Sequence, residues 1–234
     1  NELRRDRVVQ MVEVKDEKQF QALEAARVIA HSDDKLQLTA LAIADANADI
    51  ICLQEVENIQ ALSAFEYGYL YKMIGAGYRH KYLAKGNDGR GIDVAVMTRE
   101  ETADGDAIEF VKLQSHAHRT YEELGLYDEA LKAAGELPHE RVFRRDCLEI
   151  DFRIGGKPLT LFVTHLKSMG GNGSKDGRGE TMAIRSAEAR AVRAIIEEKF
   201  GQGRTAGKRW LICGDMNDYR ERIVAEGSRQ SGYR

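Results

Sequence analysis

The sequence has few of the residues that mark a cross-linked or membrane-spanning protein. Its 234 residues include only three cysteines and two prolines. Three widely spaced cysteines without a CxxC pair predict neither a disulfide framework nor a zinc site. No apolar run approaches the roughly 18 residues of a membrane-spanning helix, and residues 1–20 contain no apolar segment typical of a signal peptide. These absences predict a soluble protein without membrane association.

The cysteine content bears on the cellular compartment, and the net charge bears on the kind of partner. Free thiols favour a reducing compartment, so the cytoplasm is preferred, while export stays open if a signal segment was removed. Lysine and arginine number 35 and aspartate and glutamate 38, which gives a formal net charge of −3. This balance excludes a protein that attracts nucleic acid through an overall positive charge. A polyanionic substrate would need a local basic cluster or a metal ion.

Apolar residues three to four positions apart predict the helices. One helix is expected from Asp16 to His31 and a second from Lys35 to Asn47, because the polar residues 32–34 interrupt the pattern. Further helices are expected over 59–74 and 181–200. In the last of these the arginines at 185, 190 and 193 are expected to face water.

Apolar runs predict the strands. The continuous runs at 50–53 and 210–213 are typical of strands covered on both faces. Shorter strands across turns rich in glycine, asparagine and aspartate are typical of antiparallel pairs. These are expected at 78–83, 92–98, 104–114, 141–154 and 159–163. The mixture predicts an α/β domain of two packed sheets with helices outside.

Polar residues follow three of the apolar strands directly. They are Gln54-Glu55, Thr164-His165 and the group Asp215, Asn217 and Asp218. The set contains hard oxygen ligands for a cation such as Mg²⁺, and groups that can activate water and stabilise a leaving oxygen. It lacks a serine or cysteine nucleophile beside a base. This is the inventory for attack on a phosphate ester, whereas residues 215–218 alone would equally fit a polar turn after a strand.

The same segments resemble a known family. LQEVEN at 53–58, THLKS at 164–168 and GDMND at 214–218 occur in the order found in the endonuclease/exonuclease/phosphatase superfamily. The resemblance covers about residues 36–220 and implies an α/β fold, a four-layered αββα sandwich of two packed mixed sheets with helices outside. THLKS and GRGIDVAVM at 89–97 are more similar to bacterial nuclease-like members than to inositol phosphatases.

The resemblance also implies a role for each strand-end residue. Glu55 matches the glutamate that binds Mg²⁺, for which Mn²⁺ is a possible substitute. His165 matches a histidine placed against the scissile phosphate. Asp215 matches the aspartate that orients or deprotonates the attacking water, and Asn217 the amide that holds the phosphate. Together these residues form the expected catalytic, substrate-binding and metal-binding set.

Basic residues are the expected substrate contacts. Arg145 resembles a strand arginine that contacts phosphate in some members, and Arg144 is open as the match instead. Asp93, at the start of an apolar strand, is either a surface turn contact or a support for the site. A phosphate-binding rim is expected from Arg144, Arg145, Lys167, Lys175 and Arg178, unless these are ordinary solvated charges.

Two family features have no counterpart in the sequence. The family opens with a strand that ends in a metal- or phosphate-contacting asparagine, and it closes with a strand that bears Ser-Asp-His. Neither motif is present, so we expect residues 1–234 to be a single domain that is incomplete at both ends, lacking the first and last family strands. The alternative is a non-catalytic binding module with a decayed site.

The sequence therefore predicts Mg²⁺-dependent hydrolysis of phosphodiester bonds, by a nuclease acting on DNA or RNA. The alternative within enzymes is a phosphomonoesterase or phosphodiesterase that acts on inositol, lipid or small-molecule phosphates. No protein partner can be inferred from the sequence.

Overall fold

Two sheets face each other in the computed structural model, which describes residues 15–170, 177–218, 222–224 and 231–233. The first sheet has the order β1-β3-β2 and the second β4-β5-β6-β7, while β8 and β9 pair separately. The strands are β1 (Ile50–Val56), β2 (His80–Leu83), β3 (Asp93–Thr98), β4 (Ile108–Ser115), β5 (Cys147–Ile154), β6 (Lys157–His165), β7 (Trp210–Asp215), β8 (Arg222–Val224) and β9 (Ser231–Tyr233). The helices are α1 (Glu17–Ala46), α2 (Ile59–Phe65), α3 (Tyr71–Ile74), α4 (Glu129–Ala133) and α5 (Gly177–Phe200), with a π-helical turn at Glu66–Leu70 between α2 and α3.

Three apolar clusters separate four layers. One lies between the sheets, where Val94 and Val96 of the first sheet meet Leu148 and Val163 of the second. A second lies under α1, α2 and the π-helical turn, against the outer face of the first sheet. A third lies between α5 and the outer face of the second sheet, where Ile195 packs in the same cluster as Phe162 and Cys147. This arrangement confirms the predicted αββα sandwich.

The strand directions differ in one respect from the prediction of two mixed sheets. The first sheet is antiparallel throughout its described strands. The second is mixed, because β6 pairs with β5 antiparallel and with β7 parallel. The parallel pair is connected through α5, as a crossover between parallel strands requires.

The first helical region is one helix rather than the predicted two. Asp16 caps its start, where its carboxylate accepts a hydrogen bond from the Gln19 N–H, and Asn47 ends it in the left-handed conformation, as expected. Asp33 does not interrupt the helix, because its carboxylate accepts hydrogen bonds from Gln37 at 2.6 Å and from the Tyr69 hydroxyl at 2.7 Å. The hydrogen bond from Tyr69, which is distant in sequence, thus stabilises Asp33 inside a helix, whereas the sequence pattern alone predicts that the helix is interrupted there.

The strand β7 is more exposed than its apolar run predicts. Leu211 is 55% exposed and Ile212 is 40% exposed. Within the described residues β7 pairs only with β6, so it forms the margin of the sheet and its side chains on either face have a neighbouring strand on one side only. The prediction of a strand buried on both faces is wrong for this part of the chain, and β1 is likewise only half-buried.

None of the helices in the described ranges combines the length and the apolar character that spanning a bilayer requires.

Candidate active site

The ends of β1, β6 and β7 bring three predicted residues into one region. His165 and Asp215 are aligned partners in the parallel pair of β6 and β7, and His165 Nε2 lies 3.9 Å from Asp215 Oδ2. Glu55 comes from the opposite sheet and is close enough for its charge to act on His165. Two carboxylates and an imidazole are therefore neighbours at the ends of β1, β6 and β7.

Glu55 lies at an irregularity of β1. The pairing with β3 shifts between Leu53 and Val56, and Glu55 adopts a left-handed backbone with φ of 59°. Such a bulge interrupts the alternation of a strand and re-aims a side chain, and a non-glycine residue in this region costs on the order of 1–3 kcal/mol. The carboxylate is exposed and makes no hydrogen bond or ion pair with another described residue. Next to it, the buried Gln54 Nε2 has no hydrogen-bond partner within the described ranges.

His165 is buried, and its pKa lies below the ordinary value. Burial is the largest cause, followed by the positive charge of Arg145; the carboxylates of Asp215 and Glu55 act in the opposite direction. A neutral imidazole can donate a hydrogen bond from one ring nitrogen and accept one at the other. The environment of His165 thus favours the neutral form at pH 7.

The backbone of Leu166, at the end of β6, forms hydrogen bonds with Asp215 and Asn217. Its N–H donates to the Asp215 carbonyl at 2.9 Å. Its carbonyl accepts from Asn217 Nδ2 at 2.8 Å and from Arg145 Nη1 at 3.1 Å. Asn217 itself has a left-handed backbone with φ of 50°, and its N–H donates to Asp215 Oδ1. Asn217 therefore holds its own loop against the end of β6.

Arg145 is buried, and its side chain links the turn at Asp88 to the backbone at the end of β6. Its Nε donates to Asp88 Oδ2 at 2.8 Å, and its side chain is only 5% exposed. Asp88 also accepts two hydrogen bonds from the Arg90 side chain, which together with the Arg145 charge holds the Asp88 pKa well below its usual value despite burial. Arg90 is near enough to Glu55 for their charges to interact. Sequence reasoning missed Asp88 and Arg90, because their segment has only the signal of a turn.

Asp93 supports the same turn from below. It is buried, and its carboxylate accepts from the Gly86 N–H at 2.8 Å and from Lys85 Nζ at 3.1 Å. Gly86 in turn packs so closely on the Arg145 carbonyl that an added Cβ would lie 2.9 Å from its oxygen. Of the two predicted readings, the supporting role agrees with this burial, and the surface contact is wrong.

Glu188 of α5 connects two segments beside the site. Its Oε1 accepts from the Arg144 N–H at 2.9 Å and its Oε2 from the Lys167 N–H at 2.5 Å. The side chain is fully buried, and burial raises its pKa to about 7 against the opposing effect of these hydrogen bonds. No motif in the sequence marks Glu188, because its importance depends on two residues distant along the chain.

A pair of arginines on α5 holds Asp218. Arg178 donates to Asp218 Oδ1 at 2.6 Å, and Arg185 Nε donates to Oδ2 at 3.1 Å. Arg185 is only 3% exposed, so the expectation that it faces water is wrong: the carboxylate of Asp218 replaces water as its partner. At the other end of α5, Lys199 donates to Glu149 and Asp151 of β5.

A basic cavity adjoins the strand ends. It has a volume of about 370 Å³ and is lined by Asn87, Asp88, Gly89, Arg90, Arg144, Arg145, Lys167 and Ser168. Burial and the neighbouring charges of Arg145 and Arg144 lower the pKa of Lys167. Of the predicted rim, Arg144, Arg145 and Lys167 line this basic cavity, Arg178 is paired with Asp218, and Lys175 lies outside the described residues. A larger cavity of about 540 Å³ between Asn47 and Arg99 contains none of the strand-end residues.

Glu55 is the residue best suited to hold a cation. The described residues contain no group of three His, Cys, Asp or Glu side chains that could hold a metal. Mg²⁺ does not require one, because it keeps several waters and commonly binds one or two carboxylates together with substrate phosphate. Glu55, an exposed carboxylate that forms no ion pair with another residue of the described ranges, fits that pattern.

Comparisons with known proteins identify one family and several similar solved structures. The model of the Endonuclease/Exonuclease/phosphatase family matches residues 27–229. No curated protein matches the chain. Similar solved structures include truncated Caenorhabditis elegans TDP2, with 18% identity over 80% of this chain and 56% of that chain and a TM-score of 0.45.

Two further solved structures are similar to a comparable degree. SmcL has 19% identity over 79% of this chain and 56% of that chain, with a TM-score of 0.48. ANGEL2, described as a 2′,3′-cyclic phosphatase, has 16% identity over 78% of this chain and 43% of that chain, with a TM-score of 0.47. The chain spans about half the length of these structures. At this identity they carry no inference about substrate.

The family match includes β1, β6, β7 and all three strand-end motifs. This protein therefore belongs to the endonuclease/exonuclease/phosphatase family, whose members hydrolyse phosphate esters.

Proposed function

We propose that this protein is a Mg²⁺-dependent phosphodiesterase that cleaves nucleic acid. The observation that carries the proposal is the meeting of Glu55, His165 and Asp215 beside the basic cavity. Carboxylates alone would repel a phosphate, whereas this set combines them with an imidazole and with the cationic side chains of Arg90 and Lys167.

The exposed Glu55 carboxylate is the proposed ligand for Mg²⁺, with Mn²⁺ as a possible substitute. When bound, the ion would neutralise charge on the scissile phosphate and polarise it. The left-handed backbone of Glu55 supports this role, since strained conformations cluster at functional sites.

Asp215 is the proposed acceptor for the proton of the attacking water. Its side chain is 54% exposed, and its Oδ1 is held by the Asn217 N–H. As the water oxygen forms its bond to phosphorus and the bond to the leaving oxygen breaks, charge builds up on the phosphate. His165, in its neutral form, donates a hydrogen bond to a phosphate oxygen, and preorganised donors of this kind stabilise such charge.

The basic cavity is the reason for proposing a polymeric substrate. Lys167 and Arg144 line both this cavity and a second one of about 530 Å³ beside α5. Cationic side chains along such a path can contact several phosphates of one strand, and these contacts position a nucleic acid without reading its sequence. Part of that charge is already balanced, since Arg144 pairs with Glu136.

The proposal is tested with the full-length protein on plasmid DNA, single-stranded DNA and RNA, with Mg²⁺ and with excess EDTA. We expect cleavage that EDTA abolishes and that Glu55→Gln reduces by at least about 100-fold. Glu57→Gln is the matched control, because Glu57 is exposed and lies two residues away; it should cleave normally.

The alternatives give different results in the same assay. Release of inorganic phosphate from monoesters without strand cleavage would replace the proposal by a phosphomonoesterase. Hydrolysis of inositol or lipid phosphodiesters, with nucleic acid left intact, would overturn the substrate. Binding of DNA without hydrolysis of any of these compounds would identify a non-catalytic module.

A further inference from the structure

We propose that Cys52 and Cys213 are a site of oxidative modification, at which hydroperoxide converts the two thiols into a disulfide between the two sheets. The sequence predicts no disulfide, because these residues are 161 positions apart and no motif links them. The fold brings them together. The proposal does not depend on the proposed function.

The two cysteines face each other from opposite sheets. Cys52 in β1 packs against the apolar cluster between the sheets. Cys213 in β7 is aligned with Val163 of β6, which belongs to the same cluster. Since aligned residues of neighbouring strands point to the same face of a sheet, Cys213 also points into the space between the sheets.

The two thiols are near neighbours. Each acts on the pKa of the other, and Cα atoms of β1 and β7 come within 8 Å of each other at this edge of the sandwich. Both residues are half-buried and free. A disulfide needs Cα atoms about 4.4–6.8 Å apart, which strands of two facing sheets reach only where the sheets converge. At the edge formed by β1 and β7 the sheets do converge, because Cα atoms of the two strands lie within 8 Å of each other, closer than the roughly 10 Å between packed sheets.

The two thiols differ in acidity. The neighbouring Cys52 thiol lowers the pKa of Cys213, while the neighbouring Cys213 thiol and burial raise the pKa of Cys52. The thiolate is the nucleophile in thiol oxidation, so Cys213 is the attacking residue and Cys52 the resolving one. Cys147 is fully buried under α5 on the other face of its sheet, and burial raises its pKa well above the ordinary value.

The reaction balances with one hydroperoxide per pair. The Cys213 thiolate attacks one peroxide oxygen, the O–O bond breaks, and the sulfur becomes a sulfenic acid while the leaving oxygen takes a proton to form water or an alcohol. The Cys52 sulfur then attacks the sulfenic sulfur, and the expelled hydroxide takes the Cys52 proton as water. The two sulfurs are oxidised, and the peroxide is reduced.

The test is a peptide map of the full-length protein after treatment with hydrogen peroxide. Remaining thiols are blocked with N-ethylmaleimide in denaturant, and the digest is analysed by mass spectrometry with and without dithiothreitol. We expect a peptide pair joining Cys52 to Cys213 that separates on reduction, with Cys147 recovered as the maleimide adduct. The oxidised protein should also unfold at a higher temperature than the reduced protein, because the cross-link restricts the unfolded chain.

Three variants make the assignment specific. Cys52→Ser and Cys213→Ser should each abolish the linked peptide, whereas Cys147→Ser should keep it. A wild-type map in which Cys52 and Cys213 both carry maleimide, or in which Cys213 is oxidised further without a link to Cys52, would overturn the proposal. A link that includes Cys147 would overturn it as well. The wild-type map decides these outcomes even if a variant folds poorly, and none of them depends on hydrolysis.

Discussion

Nε2 of His165 lies 3.9 Å from Oδ2 of Asp215, because the two residues are directly aligned in the parallel pair of β6 and β7. The separation is longer than a hydrogen bond. Each side chain therefore has capacity left for a group bound between them, such as a phosphate oxygen or an attacking water.

Replacing Asp215 by asparagine should affect both catalysis and its neighbour. We expect the hydrolysis rate to fall by roughly 10²–10⁴-fold, the range for loss of a general base. The pKa of His165 should fall further, because the Asp215 charge is one of the two that raise it. Titration of the His165 ring by NMR measures this effect, and a rise of the pKa in the variant would contradict the geometry.

Adding a methyl group at Gly214 should separate β7 from β6. The Gly214 backbone has φ of 144°, and an added Cβ would lie 1.8 Å from the Thr164 carbonyl oxygen. Gly214→Ala should destabilise the protein by at least about 1–3 kcal/mol, the usual cost of overpacking. Gly68→Ala is the control, because nothing lies within 4 Å of its added Cβ. Urea unfolding of the two variants compares them, and equal midpoints would contradict the prediction.

The ion pair between Arg185 and Asp218 should contribute more to the stability of the folded protein than the exposed pair between Arg190 and Asp128. Arg185→Gln removes the buried partner of the Asp218 carboxylate, and breaking a fully buried pair costs about 3–5 kcal/mol, which is an upper limit here. Arg190→Gln, on the same helix, removes an exposed pair with Asp128 and should cost less than about 1 kcal/mol. The difference is measured as the free energy of unfolding in urea. Similar values for both variants would show that Arg185 does not hold the loop.

Glu188 should make the stability depend on pH. Its pKa of about 7 lies above the ordinary 4.5, so between these values the folded protein keeps a proton that the unfolded chain has released. This contribution to stability is complete below about pH 4.5 and is lost as the pH rises through about 7.

Glu188→Gln should remove this dependence. At pH 7 it leaves one of the two bound N–H groups without an acceptor, at a cost of about 1–3 kcal/mol. Unfolding free energies at pH 5 and pH 7 should differ less in the variant than in the wild type. Glu180→Gln, at an exposed position of the same helix, should keep the wild-type slope, and a slope unchanged in Glu188→Gln would refute the assignment.

Local signals in the sequence were enough to predict the layers and the strand-end motifs. Apolar periodicity predicted the helices over 59–74 and 181–200, and the polar residues after apolar runs predicted that Glu55, His165 and Asp215 share an edge. These features depend on the order of residues along the chain. For this reason they can be predicted without knowledge of the tertiary contacts.

The features that the sequence did not reveal depend on distant partners. Asp33 continues a helix because Tyr69 satisfies it, and Arg185 is buried because Asp218 accepts its hydrogen bond. Arg145, expected to contact phosphate, donates two hydrogen bonds within the protein, one to Asp88 and one to the Leu166 carbonyl. Whether a charged side chain meets water, substrate or another side chain is decided by the tertiary fold.

The placement of Arg185 and Glu188 on α5 has a consequence for how the protein can vary. Three positions apart, they lie on one face of the helix and serve two different parts of the site, the 215–218 loop and the backbone beside the basic cavity. An insertion of one residue between them would rotate one partner by about 100° away from its target. The spacing between Arg185 and Glu188 is therefore under constraint, because both partners must be met at the same time.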